Sequence, residues 1–215
     1  MNLELFAPSA VEGTEELGRH ACVLRGFALA FIEDLMPALH AVERESPFRR
    51  MMTAGGHTMS AAMTNCGERG WVSDRRGYRY AAIDPDTGRP WPAMPDAFRR
   101  LARRAADAAG LGPFDPDACL VNCYVPGSRM GLHQDSNEMD RNAPIVSVSL
   151  GIPAVFLFGG HRRGDKARRV PLFHGDVVVW GGEDRMRFHG VAPLKPAEHP
   201  AMGPRRINLT FRKAG

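Results

Sequence analysis

The second half of the chain carries a series of short strand-like segments, and this series limits the possible folds more than any other feature. Seven apolar segments follow residue 118, and turns containing glycine separate several of them. Short strands joined by glycine turns predict an antiparallel sandwich or barrel, of which the jelly roll is one form. We therefore expect a jelly-roll core over about residues 118–213. The predicted strands span residues 119–124, 144–151, 155–158, 169–173, 176–180, 188–191 and 206–212.

Two helical segments precede these strands. Apolar residues recur every three or four positions over residues 28–45 and again over residues 95–109, which predicts two amphipathic helices. Helices that come before the strands are expected to pack on one face of the sheets, so the fold class is α+β and mainly β. A short strand is predicted over residues 21–27, and residues 1–20 are expected to be irregular.

The length of 215 residues and the apolar fraction of 44% suit a single globular domain over residues 1–215. No apolar run approaches the roughly 20 residues that a membrane-spanning helix needs, and the N-terminus lacks the basic start and apolar stretch of a secretory signal. We therefore expect a cytoplasmic protein without a membrane partner. Its four cysteines lack the second ligand pair of a zinc site, so we predict reduced and mostly buried thiols.

The charge distribution bears on the partner. The net charge is +4 and the pI is about 9.1, with arginines clustered in three places. A polyanionic partner fits such clusters, and arginines that contact only water are the alternative. Between the helices, residues 48–94 are rich in Met, Gly, Arg and isolated aromatic residues, which indicates an adaptable surface layer. The clusters are Arg75, Arg76 and Arg79; Arg99, Arg100, Arg103 and Arg104; and Arg162, Arg163, Lys166, Arg168 and Arg169.

A candidate metal site begins with the H-x-D element His133-Gln134-Asp135. In a strand, residues i and i+2 point to the same face, so the imidazole and the carboxylate can reach the same ion. A distant second histidine would complete the two-histidine, one-carboxylate triad of non-haem iron(II) oxygenases. Among the eight histidines, His189 is the best candidate because it lies in a strand-like segment after a glycine turn. By spacing alone, His174 is nearly as good.

A candidate anion site lies near the C-terminus, where polar and apolar residues alternate over residues 206–212. This period of two places the polar side chains on one face of a strand. Two arginines on an inward face are costly unless an anion neutralises them, and a dicarboxylate would do so through bidentate pairing. The alternative is an edge strand whose arginines face solvent. The polar side chains are Arg206, Asn208, Thr210 and Arg212, and Asn122 and Tyr124 alternate in the same way within residues 119–124.

Together, these and other motifs resemble the AlkB family of Fe(II)- and 2-oxoglutarate-dependent dioxygenases, and its bacterial members in particular. The resemblance spans most of the chain. In the strand-rich half it rests on Asn122-Cys123-Tyr124, His133-Gln134-Asp135, Val177-Val178-Val179-Trp180-Gly181-Gly182, His189-Gly190 and the segment from Arg206 to Arg212. In the first half it rests on Ser46-Pro47-Phe48, Thr58-Met59-Ser60, Met63-Thr64-Asn65-Cys66-Gly67, Trp71, Gly77-Tyr78 and Pro90-Trp91-Pro92-Ala93-Met94-Pro95.

The resemblance implies a double-stranded β-helix, or jelly roll, with a nucleotide-recognition lid over about residues 48–94. It implies that His133, Asp135 and His189 bind Fe(II) and are the catalytic residues, with 2-oxoglutarate and O₂ as cosubstrates. Within the cosubstrate site, Arg206 would bind the distal carboxylate and Arg212 would lie near the metal-bound end. The residues implied for 2-oxoglutarate are Asn122, Tyr124, Arg206, Asn208 and Arg212.

The activity implied by the resemblance is oxidative dealkylation of N-alkylated bases, such as N1-methyladenine and N3-methylcytosine, in single-stranded DNA. The products would be the repaired base, formaldehyde, succinate and CO₂, and the enzyme would act as a monomer in DNA repair. Trp71 would contact the damaged base, with Thr53, Tyr78 and Arg163 near the strand. Asn137 stands where the family's bacterial members have an acidic residue beside the base, which leaves the preference between adenine and cytosine open.

Other functions are compatible with parts of this pattern. A dioxygenase could act mainly on RNA, on double-stranded DNA as well, or on a protein or lipid side chain. The basic clusters and Trp71 favour a nucleic acid without separating DNA from RNA. A catalytically idle nucleic-acid-binding jelly roll is the alternative outside enzymes, but such a module needs neither a complete triad nor paired inward arginines.

Overall fold

Two antiparallel sheets pack against each other in the computed structural model, which describes residues 13–215. The α-helices of this region are α1 (Ile32–Glu45) and α2 (Asp96–Ala108), and Phe27–Phe31 and Gly182–Asp184 form short 3-10 helices. The strands are β1 (Gly13–Gly18), β2 (Ala21–Arg25), β3 (Ala62–Gly67), β4 (Gly70–Asp74), β5 (Gly77–Ala81), β6 (Ala118–Tyr124), β7 (Met130–His133), β8 (Ile145–Gly151), β9 (Ala154–Phe158), β10 (Arg168–Leu172), β11 (Val177–Trp180), β12 (His189–Val191) and β13 (Arg206–Arg212).

The strand order identifies the fold. The larger sheet runs β1-β2-β11-β8-β13-β6-β3, the smaller runs β10-β9-β12-β7, and β4 and β5 form a separate hairpin. From β8 onward the chain passes repeatedly from one sheet to the other, since β8, β11 and β13 lie in the larger sheet and β9, β10 and β12 in the smaller. Such crossing between two antiparallel sheets is jelly-roll topology. It confirms the predicted fold class.

Side chains from both sheets fill the space between them. Val23 and Trp180 of the larger sheet pack with Phe156 and Leu172 of the smaller one in an apolar cluster at one end. A second cluster at the other end joins Tyr124 of the larger sheet to side chains of the smaller. Arg206 and Arg212 are buried in the same interior, so their charges depend on partners within the protein rather than on water.

The strand β13 lies at the centre of the larger sheet, between β8 and β6. All its residues are buried. Its apolar side chains, among them Ile207 and Leu209, join the core beneath the helices, so the alternating polar side chains point to the opposite face, between the sheets. The predicted alternation is therefore confirmed, and the alternative of a solvent-exposed edge strand is wrong.

Both helices cover the outer face of the larger sheet, as predicted. Leu35 and Leu39 of α1 and Phe98 and Leu101 of α2 are fully buried in the core on that face. The ring of Phe98 meets Phe211 of β13 edge to face, with 6.0 Å between ring centroids. Burial of a phenylalanine side chain contributes about 1.5–3 kcal/mol, so this contact helps to fix β13 and the polar residues on its other face.

Several boundaries differ from the sequence prediction, and those of the larger sheet differ most. Residues 13–18, expected to be irregular, form β1, because their backbone pairs with β2 although their side chains are mostly exposed. Residues 1–12 of that predicted segment lie outside the described residues. β3 lies within the range predicted for the lid, yet it pairs with β6 along its whole length. The larger sheet thus includes β1, β2 and β3, which precede the predicted core at residues 118–213.

Neither helix of residues 13–215 has the length and apolarity to cross a bilayer. The thiols of Cys22, Cys66 and Cys119 are buried, that of Cys123 is half-buried, and all four cysteines are free. The prediction of unpaired, mostly buried thiols is therefore confirmed.

Candidate active site

The predicted metal ligands meet at one end of the smaller sheet. His133 ends β7, His189 begins β12, and the two residues are direct partners across these neighbouring strands. Their ring centroids are 4.4 Å apart. One ligand atom from each of His133, Asp135 and His189 lies within 4.8 Å of the others, and no other such cluster is found among residues 13–215. The structure thus favours His189 over His174, whose ring stacks on His199 with 4.3 Å between centroids.

The position of Asp135 has a different cause from the one predicted. β7 ends at His133, so strand alternation does not place the carboxylate beside the imidazole. Instead, Arg212 of β13 donates two hydrogen bonds to Asp135 Oδ2, from Nε at 2.8 Å and from Nη2 at 2.7 Å. The H-x-D residues are therefore brought together, but a guanidinium from the opposite sheet holds the carboxylate in place.

Backbone carbonyls orient both imidazoles. His133 Nδ1 lies 2.9 Å from the Gly131 carbonyl oxygen, and His189 Nδ1 lies 3.1 Å from that of Arg187. Because a carbonyl only accepts, each Nδ1 carries the proton and each Nε2 keeps a free lone pair. Both Nε2 atoms lie 3.6 Å from an oxygen of Asp135. This is the orientation that a shared metal ion requires.

The protonation states also suit a metal. Partial burial and the neighbouring His189 lower the pKa of His133 to about 4, so its imidazole is neutral at physiological pH. Burial opposes ionisation of Asp135, but the Arg212 guanidinium outweighs it and holds the pKa of that carboxyl well below its usual range. Two neutral imidazole nitrogens and one carboxylate are the donor set of a facial Fe(II) triad. These residues fit iron.

The predicted cosubstrate residues face one another across the strand pair β13 and β6. Arg206 is the direct partner of Tyr124, and Asn208 is the direct partner of Asn122. The guanidinium carbon of Arg206 lies 5.2 Å from the centroid of the Tyr124 ring. All four side chains are buried between the sheets, so the register brings them together as predicted.

Arg206 is a buried cation with unused donors. It is 1% exposed, and its Nη2 donates to Ser149 Oγ at 2.8 Å. Its Nε and Nη1 have no hydrogen-bond partner, and no salt bridge of Arg206 is present within residues 13–215. Burial lowers the pKa of this guanidinium. Its planar set of N–H donors nevertheless has the geometry that pairs with a carboxylate. An isolated buried charge is unfavourable without a counter-ion, so the site fits one carboxylate of 2-oxoglutarate.

Two other members of the predicted set, Arg212 and Asn208, already have partners within the protein. Arg212 already pairs with Asp135. Asn208 Nδ2 donates to Ser147 Oγ at 2.8 Å and to the Val148 carbonyl at 2.9 Å. The expectation of two arginines awaiting an anion therefore fits Arg206 only, because carboxylates of the protein neutralise Arg212.

A cavity of about 700 Å³ opens beside the triad. His133, Asp135 and Arg212 line it at one side. The rings of Trp71 and Tyr78 stack in its wall, with 5.5 Å between centroids and 15° between planes, and Trp71 Nε1 donates to Asn137 Oδ1 at 3.5 Å. The structure thus collects every predicted substrate residue around one cavity. They are Thr53, Trp71, Tyr78, Asn137 and Arg163.

The basic clusters divide into two kinds. The cluster on α2 is largely paired, since Arg99 and Arg103 bind Asp115 and Arg100 binds Asp34. Arg163 instead lines the cavity, with its guanidinium carbon 5.3 Å from the centroid of the Phe188 ring. Carboxylates of the protein therefore neutralise most of the α2 cluster, and the cluster around Arg163 fits a polyanion near the cavity.

Several residues beside the site were missed from the sequence. Met59 and Phe188 line the cavity. Glu138 and Arg185 are buried behind the triad and form an ion pair, with 3.2 Å between Arg185 Nη2 and Glu138 Oε2. The polar surroundings of Glu138, Ser-Asn-Glu-Met-Asp, are typical of an exposed loop, so no local signal indicated its burial.

Comparisons with known proteins agree with this geometry. The family model of the 2OG-Fe(II) oxygenase superfamily matches residues 21–212. The chain is 55% identical over 213 residues to the alpha-ketoglutarate-dependent dioxygenase AlkB of Escherichia coli (strain K12), covering 99% of this chain and 98% of that one. It is 35% identical over 161 residues to the DNA N(6)-methyladenine demethylase ALKBH1C of Arabidopsis thaliana, covering 63% and 35%. The solved structure of OsALKBH1 matches with a TM-score of 0.82 at 29% identity, covering 94% of this chain and 100% of that one.

Proposed function

Because the chain belongs to the AlkB family within the 2OG-Fe(II) oxygenase superfamily, we propose that it removes alkyl groups from nucleic-acid bases by oxidation. It is an Fe(II)- and 2-oxoglutarate-dependent dioxygenase. One observation carries the substrate class: the ligands His133 and Asp135 line the same cavity as the aromatic wall of Trp71 and Tyr78. A base in that cavity would lie beside the metal.

The residues divide the work of this reaction. His133, Asp135 and His189 would hold Fe(II), and Arg206, with Tyr124, Asn122 and Asn208 around it, would hold 2-oxoglutarate. When bound, iron and 2-oxoglutarate would activate O₂ for oxidation of the alkyl group, with succinate and CO₂ as coproducts. The protein binds and orients these groups and keeps water from the interior between the sheets.

The cavity wall suits a methylated base. A base has to leave its stack to reach the iron, and Trp71 and Tyr78 offer aromatic surface to replace the lost stacking. N1-methyladenine and N3-methylcytosine are cationic near neutral pH, and a cation over an indole face gains about 0.5–2 kcal/mol. Asn137, which accepts a hydrogen bond from Trp71 Nε1, offers an amide oxygen but no negative charge to such a base.

We propose single-stranded DNA as the main partner, with RNA as the alternative, and repair of alkylated DNA as the role. A single-stranded base enters the cavity without the loss of a base pair. We also propose that the enzyme acts as a monomer. We place the enzyme in the cytoplasm, where a reducing environment keeps thiols free as they are in this protein.

The proposal is tested by mass spectrometry of oligonucleotides that carry N1-methyladenine, N3-methylcytosine or an etheno base, each as DNA and as RNA. With Fe(II), 2-oxoglutarate and O₂, the methylated single-stranded DNA should lose its methyl group, with one succinate formed per repaired base. The ratio of the repair rates of N1-methyladenine and N3-methylcytosine shows which base the enzyme prefers when Asn137 lies beside it. Faster repair of RNA than DNA would favour the RNA alternative, and an unchanged mass on every oligonucleotide would contradict the function.

Replacing Trp71 with alanine is expected to weaken binding of methylated oligonucleotide by about 5- to 150-fold, because stacking of one base on an aromatic ring contributes about 1–3 kcal/mol. Fluorescence anisotropy of a labelled oligonucleotide measures this change. Trp71→Phe should retain most of the binding, and metal affinity should stay at the wild-type value in both variants, because Trp71 lies outside the triad. Wild-type binding by Trp71→Ala would show that the base does not stack there.

A further inference from the structure

A second set of buried charges lies behind the triad. Glu138 and Arg185 have side chains that are 2% exposed, and they form an ion pair at 3.2 Å. Arg185 also donates to the backbone carbonyl of Asp135 at 2.8 Å and to that of Ala143 at 3.0 Å. The backbone of the aspartate in the triad is therefore held from this second set.

Arg212 connects the two sets. Its guanidinium donates to Asp135 Oδ2, and its Nε lies 3.4 Å from Glu138 Oε1. Two carboxylates, Asp135 and Glu138, thus balance the two guanidinium groups of Arg212 and Arg185. Because these charges are removed from water, a movement of the Glu138 carboxylate changes the electric field and the hydrogen bonds that orient Arg212. Arg212 in turn positions Asp135.

Tyr80 brings the β4–β5 hairpin into contact with these charges. Its hydroxyl donates to Glu138 Oε1 at 2.7 Å, the same oxygen that faces Arg212. Burial raises the pKa of Tyr80 well above its usual value, with Glu138 and Asp135 adding to the effect although Arg212 opposes it. The phenol is therefore protonated at physiological pH and serves as a hydrogen-bond donor.

The same hairpin carries the proposed base platform. Trp71 of β4 is the direct partner of Tyr80 of β5. The backbone of Trp71 is fixed to β3 by two hydrogen bonds with the side chain of Asn65, at 2.9 and 3.0 Å. Contacts thus run without a break from Trp71 through Tyr80, Glu138 and Arg212 to Asp135.

We propose that Tyr80 and Glu138 are positioning residues that couple occupation of the base site at Trp71 to the placement of the metal ligand Asp135. The proposal rests on the proposed function, since it takes an alkylated base as the occupant. A base that displaces the hairpin moves the Tyr80 hydroxyl relative to Glu138, and Arg212 transmits the change to the carboxylate. By thermodynamic linkage, substrate and metal then change each other's affinity by the same factor.

The experiment measures this factor directly, because contacts alone do not establish coupling. Calorimetry under anaerobic conditions gives the Kd of Mn(II), with 2-oxoglutarate present, in the absence and presence of saturating N1-methyladenine DNA. For the wild type we expect these two Kd values to differ by a factor of about 5 or more, which is the lower end of measured couplings. This factor is called the ratio below. In Tyr80→Phe the ratio should fall towards 1, while Mn(II) affinity without DNA stays at the wild-type value.

Ser73→Ala is the matched control, because it also removes one hydroxyl hydrogen bond from this hairpin, to the Met52 carbonyl rather than to Glu138. It should keep the wild-type ratio. Glu138→Gln, which retains an acceptor for Tyr80 but loses the charge facing Arg212, should lower the ratio as Tyr80→Phe does.

Three results would overturn the proposal: a wild-type ratio of 1, an unchanged ratio in both variants, or an equal loss of metal affinity with and without DNA. Failure of the proposed function is a separate result, since the wild type would then neither bind nor demethylate the oligonucleotide.

Discussion

Replacing Asp135 with asparagine is expected to abolish turnover and to weaken Fe(II) binding by more than about 100-fold, since residues that merely support metal ligands already account for about 10- to 100-fold. The metal-free protein should also lose about 3 kcal/mol of unfolding free energy. This value is the lower end of the range for a broken buried ion pair. Arg212 loses the charged carboxylate of Asp135 at 2.7 Å, but the carboxylate of Glu138 remains 3.4 Å away. Anaerobic Fe(II) titration and urea unfolding measure the two effects.

Two histidine variants separate loss of metal from loss of stability. His189→Ala removes a ligand without unbalancing the buried charges, so it should lose Fe(II) binding and turnover with a smaller change in unfolding free energy. His199→Ala removes a histidine that stacks on His174 outside the triad, and it should leave metal binding unchanged. Fe(II) affinity retained in Asp135→Asn, or lost in His199→Ala, would contradict the assigned ligand set.

The polar face of β13 could be predicted from the sequence because strand alternation is a local property. Whether that face is inside or outside could not. The answer depends on β8 and β6, which flank β13 and lie far away in the chain. Arg206 is therefore easily identified as an unusual residue, but its burial and its unused donors follow only from the strand order.

The metal ligands show the same limit. His189 and His174 both occupy plausible positions in the sequence, and the distinction depends on the pairing of β12 with β7, a strand too short and too weakly apolar to be predicted. Asp135 lies beside the two histidines although β7 ends before it, because Arg212, 77 residues later, holds the carboxylate. The family resemblance supplied the assignment that local reasoning left open.

The charges behind the triad were beyond prediction for a similar reason. Glu138 lies in a polar segment, and its partners Tyr80 and Arg185 are 58 and 47 residues away. A buried carboxylate needs such partners, but nothing in the sequence of a loop indicates which distant residues will supply them. Such a network can be recognised only from the tertiary structure, which brings these distant residues together.

Replacing Arg206 with methionine is expected to lower 2-oxoglutarate affinity by at least about 100-fold while stabilising the protein without cosubstrate. Two charge-assisted hydrogen bonds to a carboxylate contribute about 1.5–3 kcal/mol each, and about 1.4 kcal/mol corresponds to tenfold in affinity. Without cosubstrate the guanidinium is buried with Nε and Nη1 unpaired, which costs about 1–3 kcal/mol or more. Methionine removes that penalty and fills a similar volume, so the free energy of unfolding should rise.

Arg212→Met supplies the opposite case on the same strand. Arg212 is also buried, but it neutralises Asp135 and lies near Glu138. Its loss leaves the Asp135 carboxylate without its cation, so the metal-free protein should be destabilised by about 3–5 kcal/mol. Urea unfolding of both variants without metal, and 2-oxoglutarate titration of the Mn(II)-loaded protein, give the comparison. If Arg206→Met destabilised the protein as Arg212→Met does, we would conclude that Arg206 stabilises the fold and does not lack a counter-ion. The cosubstrate would then have to bind elsewhere in the interior.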